Sequence, residues 1–425
     1  MASVLILTSA YPYFPGEQFI EDEIGYWDRS GFSDIYILPA IAIGEPRATP
    51  DRVSVITSGS RSRNKRLLGP FLKAVLSKAL FSELRYLRLN KNLTLMTSWL
   101  ALREMLLVKL AQRQLEKFLK EHHIDIVYSY WNNAISYAAC EVRRKGGVSK
   151  VVTRAHGGDL YEERRKLNYM PLKRQYVDDF DKVFCLSSAA KAYFLNRYGA
   201  AEGAMAISSL GVPLPDALAA PSVPPFVHIL SLSYCVPVKR IDKIMDAVQR
   251  FSESNPDKDI TWTHIGAGQL FQTLKNQAEA LSEQHINLTC RFLGHIPNEQ
   301  VKRFFLDNRV DVFVNCSESE GVPVSIMEAM SCGVPTIAPD VGSVSSLVST
   351  SRGYLMSQSP DAQELADALS EFFHSPDLIK KEMRIAARKH IEENYNADRN
   401  YPAFVSEVVG ILDQNRDIDH INYLH

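Results

Sequence analysis

A chain of 425 residues, 46% hydrophobic and 23% charged, has the composition of a soluble globular protein and the length for two or three domains. Its net charge of −1 argues against a polyelectrolyte that seeks nucleic acid. Six cysteines (140, 185, 235, 290, 316, 332) include no Cys-x-x-Cys pair, which argues against a disulfide scaffold or a zinc site and fits a reducing cytoplasm.

The opening "MASVLILTSAYPYF" has no basic n-region and too short an apolar run for a signal peptide. No run of about 18 apolar residues predicts a transmembrane helix. "SVLILT" (3–8) reads as a buried parallel strand, and so do "DIYILPA" (34–40), "IDIVYSY" (124–130), "KVVTRAH" (150–156) and "KVFCLS" (182–187). Helical patterns such as "NNAISYAACEVRRKG" (132–146) separate them. A second series follows: "FVHILSLS" (226–233), "ITWTHIG" (260–266), "NLTCRFLG" (287–294), "VDVFVNCS" (310–317) and "VPTIAP" (334–339). Alternation of this kind predicts an α/β chain with two doubly wound, Rossmann-like domains.

Prolines 213, 215, 221, 224 and 225 mark the stretch between the series as a linker. The expected domains are therefore 1–211, a linker at 212–225, and 226–395. Residues 396–425 form a C-terminal helix, crossing back to the first domain, and a tail. Ligands of such sheets bind outside the carboxyl ends of the strands, so two facing domains place a cleft between them. Residues 61–120 depart from the alternation. Fourteen Lys and Arg against three Glu give this leucine-rich segment a charge of +11. It reads either as an amphipathic surface for an anionic bilayer or as a solvated helix face packed on the sheet by its leucines.

"SESEGVPVSIMEAMSCG" (317–333) carries two glutamates eight apart, in the context of a strand, a turn and a helix. Glu320 falls in the strand-to-helix loop and Glu328 about a turn and a half into the helix. Pro323 suits the first helical turn, and Gly333 with Pro335 suits the end. The helix N-terminus over Gly321, Val322, Pro323 and Val324 favours an anion. A carboxylate at 328 can accept two hydroxyl hydrogen bonds from a vicinal diol such as ribose. By itself the spacing is common, because Glu is a good helix former.

The whole stretch 311–342 resembles the signature of the retaining glycosyltransferases of the GT-B fold, family 4, the glycosyl transferases group 1 type. Further pieces follow in order: "SLSYCVPVKRIDKIMDAV" (231–248) at the donor-phosphate loop, "HIGAGQLF" (264–271) at a glycine turn, and "FLGHIPNEQV" (292–301) at the base-side loop. "TRAHGGDLY" (153–161) matches the active-site histidine segment, and "TSAYPYFPGEQFIEDEI" (8–24) the first glycine loop. The resemblance implies a metal-independent hexosyltransferase without a cofactor. It would move a sugar from a UDP- or GDP-linked donor to a hydroxyl of a glycan or glycolipid, with retention.

His156, Lys239 and Glu320 are the implied catalytic residues. Gly16, Arg154, Tyr234, Arg240, Gly266, His295, Ile296, Gly321, Val322, Pro323, Val324 and Glu328 are the implied donor contacts. Where the family usually has Gly-Arg, this chain has Ser233-Tyr234. Tyr234 brings no positive charge, which leaves Arg240 or Arg154 to substitute. The basic segment adds the expectation of a peripheral site on the inner face of the membrane and a lipid-linked acceptor for cell-surface polysaccharide. Two other readings share the fold: a nucleotide-sugar epimerase, and a catalytically silent subunit of a transferase complex. "DFD" (179–181) resembles an Asp-x-Asp metal motif, but it sits at the amino end of a strand. "DID" (417–419) lies in a polar tail, and "GAG" (266–268) is too short for a dinucleotide fingerprint.

Overall fold

The computed structural model describes residues 2–13, 16–17, 19–57 and 67–413. Residues 61–66 of the basic segment, the tail after 413 and the "DID" triplet lie outside the described residues. The chain forms two compact units, Met1–Ser209 with Arg399–His425, and Leu210–Asp398.

The first unit is built on a sheet of seven strands: β1 (Ser3–Thr8), β2 (Asp34–Pro39), β3 (Val53–Val55), β4 (Ile126–Ser129), β5 (Lys150–Ala155), β6 (Lys182–Cys185) and β7 (Met205–Ile207). The second has six: β8 (Phe226–Leu232), β9 (Asp259–Ile265), β10 (Leu288–Gly294), β11 (Val312–Val314), β12 (Thr336–Pro339) and β13 (Gly353–Met356). The orders are β3-β2-β1-β4-β5-β6-β7 and β10-β9-β8-β11-β12-β13, and among the described residues neighbouring strands pair in parallel. Each sheet reverses direction beside its first strand, between β1 and β4 and between β8 and β11. These are the topological switch points where such sheets take ligands.

All six residues of β1 are buried, as expected for a strand covered on both faces. The helix Ile241–Ser254 buries Ile241, Ile244, Met245, Val248 and Phe251, a 3.6-residue stripe facing the second sheet. β3, β7 and β13 are additions to the strands read from sequence, and each is an edge strand of three or four residues.

The helix Asp377–Asn394 ends at Tyr395, and the helix Ala397–Asp413 packs Phe404, Val405, Val408 and Ile411 with Val4, Ile6, Trp27 and Tyr128 of the first unit. The proline-rich stretch 212–225 is fastened along the second unit. Ala219 N–H donates to Cys332 O at 2.9 Å, and Ser222 N–H to Asp311 Oδ1 at 2.8 Å. Gly211 crosses so close to Ala397 that a Cβ would stand 2.5 Å from its Cα.

The basic helices pack part of their apolar side chains into the first unit and leave others exposed. Leu80, Leu87, Met105, Val108 and Leu115 face the core. Leu68, Leu72, Leu76, Phe81, Leu95 and Trp99 are exposed. Among the described residues no helix is long and apolar enough to cross a membrane.

Candidate active site

In the second unit, the loops after β8 and β11 meet at the switch point. Lys239 closes a short 3-10 turn, Pro237–Lys239, after β8, and Glu320 stands in the loop between β11 and the helix Val324–Ser331. Lys239 Nζ donates to Glu320 Oε1 at 2.7 Å, and Asn315 Nδ2 donates to the same oxygen at 3.1 Å. Glu320 is 8% exposed, so its carboxylate is held in place rather than solvated at random. Pro323 is the N-cap, one position ahead of the first turn, and no side chain caps this helix end. Glu328 is buried in the same helix, while Gly321, Val322 and Val324 are partly exposed at its start.

The glycine turn is required by geometry. Gly266 has φ +143°, and a Cβ there would lie 1.9 Å from Ser233 O. The loop after β9 is thereby laced to the loop after β8: Ser233 N–H donates to Ile265 O, Cys235 N–H to Ala267 O, and Gly266 N–H to Gly294 O. Beneath them, His264 is buried with Nδ1 at 2.9 Å from Ser231 Oγ, which also accepts from Trp262 Nε1 at 3.0 Å. Burial lowers the His264 pKa to about 4 and keeps the ring neutral. Tyr234 is 46% exposed, and His295 is exposed with Ile296 half-buried beside it. Arg240 takes a left-handed conformation (φ 47°) and pairs with Asp242 and Glu318, each at 2.8 Å. Those hydrogen bonds raise its pKa further above the ordinary guanidinium range. In this arrangement Arg240 serves Asp242 and Glu318, while Lys239 is the cation on Glu320.

In the first unit, His156 follows β5 and is 7% exposed. Its ring stacks on Tyr130 (4.8 Å, 18°) and lies against Trp131 (4.6 Å). Burial, with Arg154 nearby, holds its pKa well below the usual value. Among the described residues neither ring nitrogen has a hydrogen-bond partner. A buried imidazole in that state is a group prepared for a ligand atom. Gly16, at φ +105°, precedes a residue the sequence reading passed over. Glu17 accepts from the backbone N–H groups of Ser9, Ala10 and Tyr11 at 2.5–2.9 Å and from Trp131 Nε1 at 2.5 Å, fixing the loop after β1 beside the histidine. Asp159 is a second such residue. Its carboxylate accepts from His156 N–H at 2.5 Å and Asn132 N–H at 2.7 Å.

Arg154, expected on the donor phosphates, is instead a core residue. It is 0% exposed, bonded to Glu23 Oε2 at 2.5 Å and stacked 3.9 Å from the Phe404 ring centroid. A guanidinium already paired and enclosed there has no route to a phosphate. The "DFD" aspartates are likewise occupied: Asp179 pairs with Arg144 at 2.6 Å and Asp181 with Arg143 at 3.0 Å. Among the described residues, no group of three or more His, Cys, Asp or Glu is arranged to hold a metal ion.

Comparison with known proteins places this geometry. The profile described as "Glycosyl transferases group 1" matches residues 225–390, and that of "Glycosyltransferase Family 4" matches 52–214. The chain belongs to this family of glycosyltransferases. It is 34% identical over 110 residues to the putative teichuronic acid biosynthesis glycosyltransferase TuaC of Bacillus subtilis, covering 26% of this chain and 27% of that protein. It is 24% identical to the putative colanic acid biosynthesis glycosyltransferase WcaL of Escherichia coli, covering 64% of this chain and 67% of that one. Thus the chain spans only about a quarter of the length of TuaC and two thirds of WcaL. The crystal structure of Anabaena HepE in complex with UDP superposes with a TM-score of 0.64 at 16% identity, covering 96% of this chain and 100% of that one. That likeness, with the two parallel sheets, shows the two-domain Rossmann-like fold.

Proposed function

We propose that this protein transfers a hexose, with retention, from a nucleoside-diphosphate sugar to a hydroxyl of a lipid-linked glycan during cell-surface polysaccharide synthesis. The observation that carries the reading is the Lys239–Glu320 pair at the second switch point, 2.7 Å apart and beside an uncapped helix N-terminus. Lys239 and that N-terminus stabilise the departing diphosphate, which is where negative charge develops. Glu320 orients ring hydroxyls of the transferring sugar, and Glu328 accepts the ribose hydroxyls. Gly321, Val322, Pro323, Val324, Tyr234, Gly266, His295 and Ile296 shape the donor loops. In the first unit, His156, whose two ring nitrogens have no hydrogen-bond partner among the described residues, is the group we assign to substrate contact.

As the bond from the anomeric carbon to the phosphate oxygen breaks, the acceptor hydroxyl oxygen forms its bond on the same face. The hydroxyl proton passes to the departing phosphate oxygen. UDP- and GDP-linked donors both suit these groups, and HepE, one of the structural neighbours, is in complex with UDP. The reading requires neither a metal nor a cofactor, so a chelator leaves turnover unchanged. The exposed apolar side chains of 67–107, interleaved with Lys and Arg, support a peripheral position on the inner face of the cell membrane.

The test is incubation with a panel of UDP- and GDP-sugars and a lipid-linked glycan extract, with the product's anomeric configuration read by NMR. Transfer with retention supports the reading. Conversion of donor to an epimer without acceptor, or a covalently glycosylated enzyme in the mass spectrum, refutes it.

A further inference from the structure

Beneath the glycine turn of the second unit runs a buried polar chain that the transfer chemistry does not use. β8 and β9 pair so that Ser231 stands beside His264. Trp262, two positions earlier on β9, shares that face of the sheet, and all three are buried. Trp262 Nε1 donates to Ser231 Oγ at 3.0 Å, and Ser231 Oγ lies 2.9 Å from His264 Nδ1. His264 Nε2 lies 3.5 Å from Cys235 Sγ, which donates to Gly266 O at 3.5 Å.

The hydrogens of this chain run one way. An indole N–H only donates, so Ser231 Oγ accepts there and directs its own hydrogen at His264 Nδ1. Burial keeps the ring neutral, with a single N–H. With Nδ1 accepting, that hydrogen sits on Nε2. The thiol hydrogen is committed to Gly266 O, which leaves the sulfur to accept from Nε2.

Nε2 also meets the backbone of Ser233, and that hydrogen bond favours a proton on the ring. Ser233 N–H already donates to Ile265 O at 3.1 Å, so the carbonyl is the group that faces the ring. Gly266 marks how closely they converge. A Cβ there would stand 1.9 Å from Ser233 O and 3.4 Å from His264 Nε2. Phe292 packs beside the imidazole, 5.2 Å between ring centroids. His264 is 0% exposed, so bulk water has no access to these bonds.

From Ser233 the chain runs straight into Tyr234 and on to the turn that ends at Lys239. Cys235, the second partner of Nε2, is laced to the glycine turn by Ala267 O and Leu270 N–H. We propose that His264 is a positioning residue of the donor site. Its Nε2–H holds the Ser233 carbonyl and the Cys235 sulfur, and so sets the loop that presents Tyr234 and Lys239 to the donor. This rests on the transferase reading and adds to it a group that touches no substrate. An aliphatic side chain would fill the same space but strand Ser233 O and the Ser231 hydroxyl in a dry interior.

The experiment exchanges the ring for two amides. His264→Gln carries an N–H to where Nε2 stood, and His264→Asn carries one only to where Nδ1 stood. UDP and GDP are titrated into the full chain by calorimetry, and the KM of donor and of acceptor is measured, below the melting temperature of every variant. His264→Asn and His264→Leu are expected to weaken nucleotide binding and raise donor KM about 10-fold, with acceptor KM unchanged. His264→Gln is expected to stay within about 3-fold of the parent. A purely structural role lowers the melting temperature of all three variants and gives no such split between Gln and Asn. Nucleotide binding as tight in His264→Asn and His264→Leu as in the parent overturns the assignment, and so does a His264→Gln variant as weak as His264→Asn. A parent that binds neither UDP nor GDP removes the transferase reading and this inference with it. A parent that binds one of them, with variants that bind it equally, removes this inference alone.

Discussion

Lys239 and Glu320, 81 residues apart in sequence, lie 2.7 Å apart at the carboxyl edge of the second sheet. The pair is formed by two loops of the same unit and is only partly screened, with Lys239 21% and Glu320 9% exposed at the side chain. Truncating Lys239 to Ala removes the charge proposed to meet the leaving diphosphate. Turnover is expected to fall about 10²- to 10³-fold, the usual cost of losing one such donor. Glu320 keeps the Asn315 Nδ2 donor, so the melting temperature should fall less than on breaking a fully enclosed pair. A steady-state assay beside a thermal melt checks both, and a Lys239→Ala enzyme with normal kcat contradicts the role.

Arg154 gives the opposite pattern. Its guanidinium and the Glu23 carboxylate are both enclosed and bonded to each other. Glu23→Ala strands a buried cation and is expected to cost about 3–5 kcal/mol of stability. Replacing both partners by apolar residues of similar size, Arg154→Met with Glu23→Leu, should recover most of that loss. Denaturant titration of the three proteins measures it. If the double variant is no better than Glu23→Ala, the loss does not come from an unpaired charge.

Gly266→Ala places a methyl group on Ser233 O at a backbone angle that side chains avoid. The expected result is a weaker donor site, read as loss of nucleotide binding by calorimetry, together with a destabilisation of about 1–3 kcal/mol. The same substitution at Gly158, where a Cβ meets nothing within 4 Å, should be tolerated.

His264 makes stability depend on pH. Its folded pKa of about 4 lies below the ordinary value of 6.5. The unfolded chain therefore takes up a proton first as pH falls. Stability from this group is complete above 6.5 and is lost as pH drops toward 4, by about 3 kcal/mol in all. Asp159 acts with the other sign: its pKa rises from 3.8 to about 6, so its contribution is present below 3.8 and is lost as pH rises through 6. Denaturant midpoints between pH 4 and 6.5 should fall less steeply on acidification in His264→Gln than in the parent. Identical slopes contradict the assignment.

The sheets were legible because strands buried on both faces are continuous apolar runs. β1, β2, β5 and β8 lie within a residue or two of the segments read from sequence. β3, β7 and β13 were not, because an edge strand of three or four residues has too few side chains to show a pattern. Glu320 and Glu328 could be read because one loop and one helix present both. Glu17 and Asp159 could not, since their partners come from separate strands and loops. Glu17 alone left a signal, its place directly after Gly16. Arg154 misled for a related reason. A strand end shows that a residue stands near a ligand edge, but not that Glu23, 131 positions earlier, already occupies it.

The most direct measurement is a crystal structure with UDP or GDP bound. A pyrophosphate oxygen within hydrogen-bond distance of Lys239 Nζ and ribose hydroxyls on the Glu328 carboxylate are the expected result. A nucleotide bound elsewhere, with Lys239 and Glu328 making no contact to it, contradicts a donor site at the second switch point.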